Sequence, residues 1–379
     1  MPPPTISTPP AGAGTAGSAE VTPSEPAVGV KDRLASRKGL VVTCVALLGV
    51  LLASVVVAIG LGSAVITPGE TARYLWAALS GGRIEADDVT TYQIIWQIRT
   101  PRVLLAALVG AGLSAIGVAI QAMVRNALAD PFVLGVSSGA SVGAVGVTVT
   151  GGLAALGIYA VSAGAFIGAL VASLLVYVAS SSRGALSPLR LVLTGVAMSL
   201  GFQAIMSVII YFAPDSEATS MVLYWTMGSF GAATWGALPV VSVSVVLGLI
   251  VLYRYGRALD LLALGDETAA SLGISPDRHR KGLLVLVSLV TGVMVAVSGA
   301  IAFVGLVMPH LVRMIVGATH SRVLAVAPLI GAIFMVWVDL ASRTLAAPRE
   351  LPLGVITALV GVPVFIVLMR RKGYMFGGR

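Results

Sequence analysis

Stretches without a single charged residue recur along this chain, separated by short charged islands. Lys31 to Lys38 precede an uncharged run from Gly39 to Gly69. Arg102 and Arg125 bracket 22 uncharged residues, and Asp130 and Arg183 bracket 52. A helix needs about 20 apolar residues to cross the hydrocarbon core, so each run is a span or a pair of spans. Backbone amides find no water in lipid, so these spans must be helices. Charged residues are only 11% of the chain, against about 25% in soluble domains. The alternating polarity of a membrane barrel is absent. Such a chain is polytopic, and its work concerns movement across the membrane.

The predicted fold is therefore all-α, a membrane bundle of about ten transmembrane helices. The spans are expected near Leu40–Gly62, Val103–Val124, Phe132–Val149, Ile158–Ser180, Leu191–Phe212, Gly236–Tyr253, Gly282–Ala302, Phe303–Gly317, Val323–Arg343 and Leu353–Met369. Thr150-Gly151-Gly152 divides the longest run, and Gly299 and Pro309 make the eighth span short or broken. Ten spans put both termini on one side. With that side cytoplasmic, all but six of the 24 basic residues fall in cytoplasmic islands. The six are Arg73, Arg83, Arg99, Arg102, Arg343 and Arg349, and the bias obeys the positive-inside rule.

Three segments follow: a cytoplasmic tail at 1–38, a transmembrane domain at 39–373 with a long inner loop at about 256–281, and a short C-terminal tail at 374–379. The first 30 residues are rich in Pro, Ala, Gly, Ser and Thr and cannot bury enough apolar surface to order themselves. Cys44 alone excludes an intramolecular disulfide and a multi-cysteine metal cluster, and it reads as a small buried thiol. No basic cluster is interleaved with aromatics, so the net charge of +8 does not point to nucleic acid. Small residues recur every fourth position at Gly135, Gly139 and Gly143, and at Ala160, Gly164, Gly168 and Ala172. Such stripes let helix backbones approach closely.

The inner loop from Ala258 to Pro276 has helical punctuation. Asp266 is expected to cap a short helix that Gly273 ends, with Glu267 complementing its dipole. Ser275-Pro276 reads as the cap and first residue of the next helix. The result is either a rigid knob or an ordinary connection. There is no phosphate-binding glycine-lysine loop, no Ser/His/Asp set and no metal-ligand cluster, so no catalytic residue, cofactor or metal is expected. His279, His310 and His320 lie well apart; His310, three residues before Arg313, reads as a buried structural histidine.

Several motifs in order carry a family resemblance: Arg99-Thr-Pro-Arg102; Gln121 with Arg125-Asn-Ala-Leu-Ala-Asp-Pro-Phe-Val-Leu-Gly135; and Trp225-Thr-Met-Gly-Ser-Phe230. Leu264 to Gly273, Phe303-Val-Gly-Leu-Val-Met-Pro-His-Leu-Val-Arg313, Asp339 with Arg343, Glu350 to Gly354 and Gly361 to Phe365 complete them. From about Gln97 to Phe376 the chain resembles the FecCD-type permeases of bacterial ATP-binding-cassette importers for ferric siderophores, haem and cobalamin. It departs at Ala127, where the family usually has proline, which touches only a local turn.

The resemblance implies two permease subunits, identical or sister chains, in the lipid bilayer of the cytoplasmic membrane, with two cytoplasmic ATPases and an extracytoplasmic siderophore-binding protein. ATP would be hydrolysed by the partner, and an iron–siderophore complex is the expected cargo, with haem or cobalamin as alternatives. The ATPase would receive the knob through Leu264, Gly265, Asp266, Glu267, Ala270, Leu272 and Gly273. Arg99, Arg102 and Arg343 match positions that hold carboxylates of the binding protein. A guanidinium fork suits that role, but helix-end arginines also snorkel. Asp339, four residues before Arg343, is placed to pair with it instead. An ion-coupled secondary transporter is the remaining reading, but it would need ionisable residues in mid-membrane. Only Asp130, Asp339 and His310 come near spans.

Overall fold

The computed structural model describes residues 36–62, 66–182, 185–213, 222 and 226–370. The expected tails at 1–38 and 374–379 lie almost wholly outside that range; of the first, Arg37 and Lys38 already belong to a helix. Ten apolar helices match the ten expected spans one for one. They are α1 (Arg37–Gly60), α3 (Ala86–Met123), α4 (Val136–Thr150), α5 (Ala160–Ser180), α6 (Pro188–Tyr211), α7 (Leu238–Arg254), α10 (Pro276–Ser298), α11 (Val304–Val316), α12 (His320–Thr344) and α13 (Leu353–Arg370). The described residues also include three short α-helices, α2 (Pro68–Ser80), α8 (Gly256–Ala263) and α9 (Asp266–Ser271), and 3-10 turns at Pro131–Leu134 and Ala154–Tyr159. The hairpin between α5 and α6 pairs β1 (Ser181–Ser182) with β2 (Ala185–Leu186). Six helices are long and apolar enough to cross a membrane, and α7 with α8 adds a span bent by 60°. The shorter apolar helices are α4, α11 and α13.

Two helices depart from the sequence expectation. First, α2 was not foreseen. Thr67 and Glu70 form a reciprocal capping box around Pro68, and Gly81 closes the helix in the left-handed region. Second, α3 starts 17 residues before the expected Val103, with a π-helical turn at Ile94–Arg99. Arg99 and Arg102 thus lie inside a helix that continues past them.

α3 is the buried axis of the bundle, whereas α1 and α6 are mostly exposed. Where α3 crosses α12, a Cβ on Gly110 would lie 2.2 Å from the Gly331 carbonyl oxygen, so the two backbones touch. Ser114 adds a hydrogen bond to the Ala327 carbonyl at 2.8 Å. The small-residue series of α4 and α5 face each other in the same way. A Cβ on Gly143 would lie 2.0 Å from the Gly164 oxygen, and one on Gly168 2.2 Å from the Gly139 oxygen. Contact this close lets dispersion act along the whole seam. Gly135 does not join it; it caps α4 at φ +73°. α10 ends at Gly299, and residues 300–303 run without helix before the 13-residue α11, which contains Pro309.

Candidate functional site

The knob is a folded elbow. α7 bends by 60° into α8, and Leu264 and Gly265 lead into α9. Gly265, at φ +111°, takes the cap position of α9 without a side-chain cap bond, and Asp266 is the first residue of the helix. The expected Asp266 cap is corrected: the chain places Asp266 one residue too far into the helix to cap it, and its carboxylate is held elsewhere. Arg280, on the first turns of α10, donates to its two oxygens at 2.7 and 2.5 Å. This hydrogen bond holds the Asp266 carboxyl below its ordinary pKa, and Arg125 adds a smaller pull in the same direction. At the other end, Gly273 (φ +87°) donates to Ala270 and Ile274 to Ala269, a Schellman closure. Ser275 precedes Pro276 as expected, without a side-chain cap bond. Ala269, Leu259 and Leu262 are fully buried and seat the elbow on the bundle. Outward it presents Glu267, Ala270 and Gly273 together with Leu264 and Leu272, which are 62% and 55% exposed.

Beside the knob, Asp260 of α8 accepts the His320 backbone N–H at 2.9 Å and lies 2.6 Å from its Nδ1, fixing α8 to the start of α12. A recess of about 1050 Å³ opens here, lined in part by Arg125, Asn126, Leu189, Asp260, Leu264 and His320. Deeper in, Gln121 of α3 donates to the Gly305 and Leu306 carbonyls, both at 3.2 Å, and accepts from Arg313. His310 is buried on the same helix as Arg313.

At the opposite end, all three arginines predicted to face a binding protein are buried. Arg99 donates to the carbonyls of Ile59 and Gly60 at 3.1 and 2.8 Å. Arg343 donates to those of Ala58 and Leu61 at 2.9 and 3.1 Å. The last carbonyls of α1 lack intrahelical donors, so two cations close its C-terminus and oppose its dipole. Arg102 donates through Nε to Asp339 at 2.7 Å and as a fork to Glu350 at 2.7 and 2.9 Å. Asp339, 0% exposed, also accepts from Arg343 Nε at 3.0 Å, the intrahelical pair that its spacing allows. The Glu350 side chain is 34% exposed. Glu350 and Arg280 are the residues that sequence reasoning passed over. Glu350 lies inside one of the family motifs, and Arg280 lies in the basic inner loop with nothing local to mark it as buried.

Ten apolar helices with charge confined to the two ends define a multi-pass membrane protein. The model of the FecCD transport family matches residues 50–371, and the chain belongs to that family. It is 40% identical over 218 residues to the hemin transport system permease protein HmuU of Yersinia pestis, covering 57% of this chain and 64% of that one. It is 38% identical over 212 residues to the cobalamin import system permease protein BtuC of Halobacterium salinarum, covering 55% of each. The chain thus spans less than two thirds of the length of these relatives. A solved structure described as a metal-chelate type ABC transporter in an inward-facing conformation is 31% identical, with a TM-score of 0.74, covering 86% of this chain and 98% of that one.

Proposed function

We propose that this chain is the permease subunit of an ATP-binding-cassette importer in the cytoplasmic membrane. It carries a ferric siderophore inward while a separate subunit hydrolyses ATP. The observation that carries this reading is the knob: a pinned elbow that holds two leucines in solvent at 62% and 55% exposure. Exposed apolar side chains on a rigid support suit burial in a partner's cleft. Leu264, Gly265, Asp266, Glu267, Ala270, Leu272 and Gly273 are the ATPase contact, and the recess beside them widens it.

A second permease copy or a sister chain completes the pathway. An extracytoplasmic siderophore-binding protein docks at the arginine end. Arg99 and Arg343 serve that docking by holding the end of α1. Arg102 meets a partner carboxylate directly if Glu350, its only partly exposed carboxylate partner, yields its place. Haem is the second reading of the cargo, favoured by the 40% identity to a hemin permease.

The test has two parts. Leu264→Asp with Leu272→Asp should abolish co-purification of the ATPase while leaving the permease folded; undiminished co-purification would refute the contact. Proteoliposomes holding permease, ATPase and binding protein should then take up one member of a panel of a ferric hydroxamate, ferric citrate, haemin and cobalamin. Uptake of the hydroxamate supports the first reading, and uptake of haemin alone replaces it with the second.

A further inference from the structure

Arg280 is 1% exposed, yet its guanidinium meets three separate parts of the chain. Two nitrogens grip Asp266 in the knob. Nε donates to the Met123 carbonyl at 3.1 Å, at the last residue of α3, and Nη1 donates to the Leu186 carbonyl at 3.3 Å, in the hairpin before α6. Met123 supplies one of the α3 terminal carbonyls that have no intrahelical donor, so Arg280 closes that helix. Leu186 is held from both sides, because its N–H donates to Asp277, three residues before Arg280, at 2.9 Å. The knob, the end of the central helix and the lead-in to the exposed helix α6 therefore converge on one buried cation. The guanidinium makes these four bonds from three nitrogens spread across its plane, whereas a lysine ammonium carries three donors on a single atom and does not span all of these acceptors.

We propose that Arg280 is the positioning residue that transmits displacement of the knob to α3 and α6. The inference rests on the knob being the ATPase contact, but its structural half is independent of that reading. Motion imposed on Asp266 pulls Arg280, and Arg280 carries the Met123 and Leu186 carbonyls with it. Without the fork the knob still moves, and the two helices are left behind.

Arg280→Lys separates the two functions, because an ammonium keeps the Asp266 pair and gives up the carbonyls. In hydrogen exchange on the isolated permease, residues 121–126 and 185–188 should exchange about tenfold faster, the factor carried by losing one hydrogen bond to a charged group. Residues 264–272 should keep wild-type rates. In proteoliposomes with the ATPase, hydrolysis should persist while uptake per ATP falls at least about tenfold. Asp277→Ala, which frees the Leu186 N–H and drops the partly exposed i,i+4 pair with Lys281 but leaves Arg280 in place, should accelerate 185–188 without accelerating 121–126 and lower the same ratio less. Wild-type exchange in both distant segments, or uptake per ATP within twofold of wild type despite their loosening, would overturn the proposal. Failure of the wild-type permease to retain any ATPase would instead defeat the reading of the knob, and with it the transmission role; the exchange result would still decide the link between the three segments.

Discussion

Asp339→Asn removes one charge from the most enclosed ionic network in the molecule. Asp339 has no solvent exposure and accepts from two arginines, Arg102 at 2.7 Å and Arg343 at 3.0 Å. The amide keeps the shape but offers one acceptor oxygen and no charge, so two buried guanidiniums face each other across a neutral group. Removing one partner of a buried pair destabilises by roughly 3–5 kcal/mol, because a charge is left uncompensated. The low end applies here. Arg102 retains its fork on Glu350, and Arg343 retains the Ala58 and Leu61 carbonyls. For a chain of this length a loss of about 3 kcal/mol lowers the unfolding midpoint by roughly 4 °C. Thermal melting of the purified permease in detergent, followed by tryptophan fluorescence and by the monodisperse fraction surviving each temperature, measures it. A midpoint within about 1 °C of wild type would refute the reasoning, since an uncompensated buried cation cannot be that cheap.

Three further outcomes follow. Gly117→Ala should cost about 1–3 kcal/mol or more and sharply lower folded yield, because its Cβ would lie 1.9 Å from the Gly305 carbonyl oxygen. Gly146→Ala, with nothing within 4 Å, should be neutral or stabilising, and equal behaviour of the two would refute the packing account. The Asp266 carboxyl has a folded pKa below its unfolded value, so its pairing with Arg280 contributes fully above the ordinary carboxylate pKa of about 3.9 and is lost as pH falls through the folded value. A spin label at Ala270 should keep constant mobility from pH 8 to 5 and loosen only below about pH 4; loosening between pH 7 and 6 would assign the knob to another group. Trp235, whose indole N–H donates to the Trp96 carbonyl at 2.9 Å inside the π-turn, should when changed to Phe loosen Ile94–Arg99 in hydrogen exchange; unaltered protection would show that the turn is held otherwise.

The helices were legible because charge-free length is a one-dimensional signal: each uncharged run became one or two helices, and Thr150-Gly151-Gly152 divided the longest as expected. The close seam of α4 and α5 was legible in its four-residue spacing. What escaped were features made by distant partners. Arg102 meets Asp339 and Glu350 across more than 230 positions, so sequence alone presented it as a free helix-end cation. Arg280 was one basic residue among five in its island, and nothing local marks it as buried. Its partner Asp266 looked like a helix cap because Asp at that spacing usually is one. The short helix α2 did carry a signal, Thr67-Pro-Gly-Glu70, but it sat at the end of an uncharged run and was absorbed into the connection that follows α1.

In the proposed function, nucleotide hydrolysis in a partner, delivered through the knob, drives movement across the membrane. Proteoliposomes containing the permease with its ATPase and binding protein, loaded with a labelled ferric hydroxamate outside, test it most directly. Uptake should require ATP on the knob side and be indifferent to imposed proton or sodium gradients. Uptake driven by a gradient with no nucleotide and no ATPase present would contradict the account.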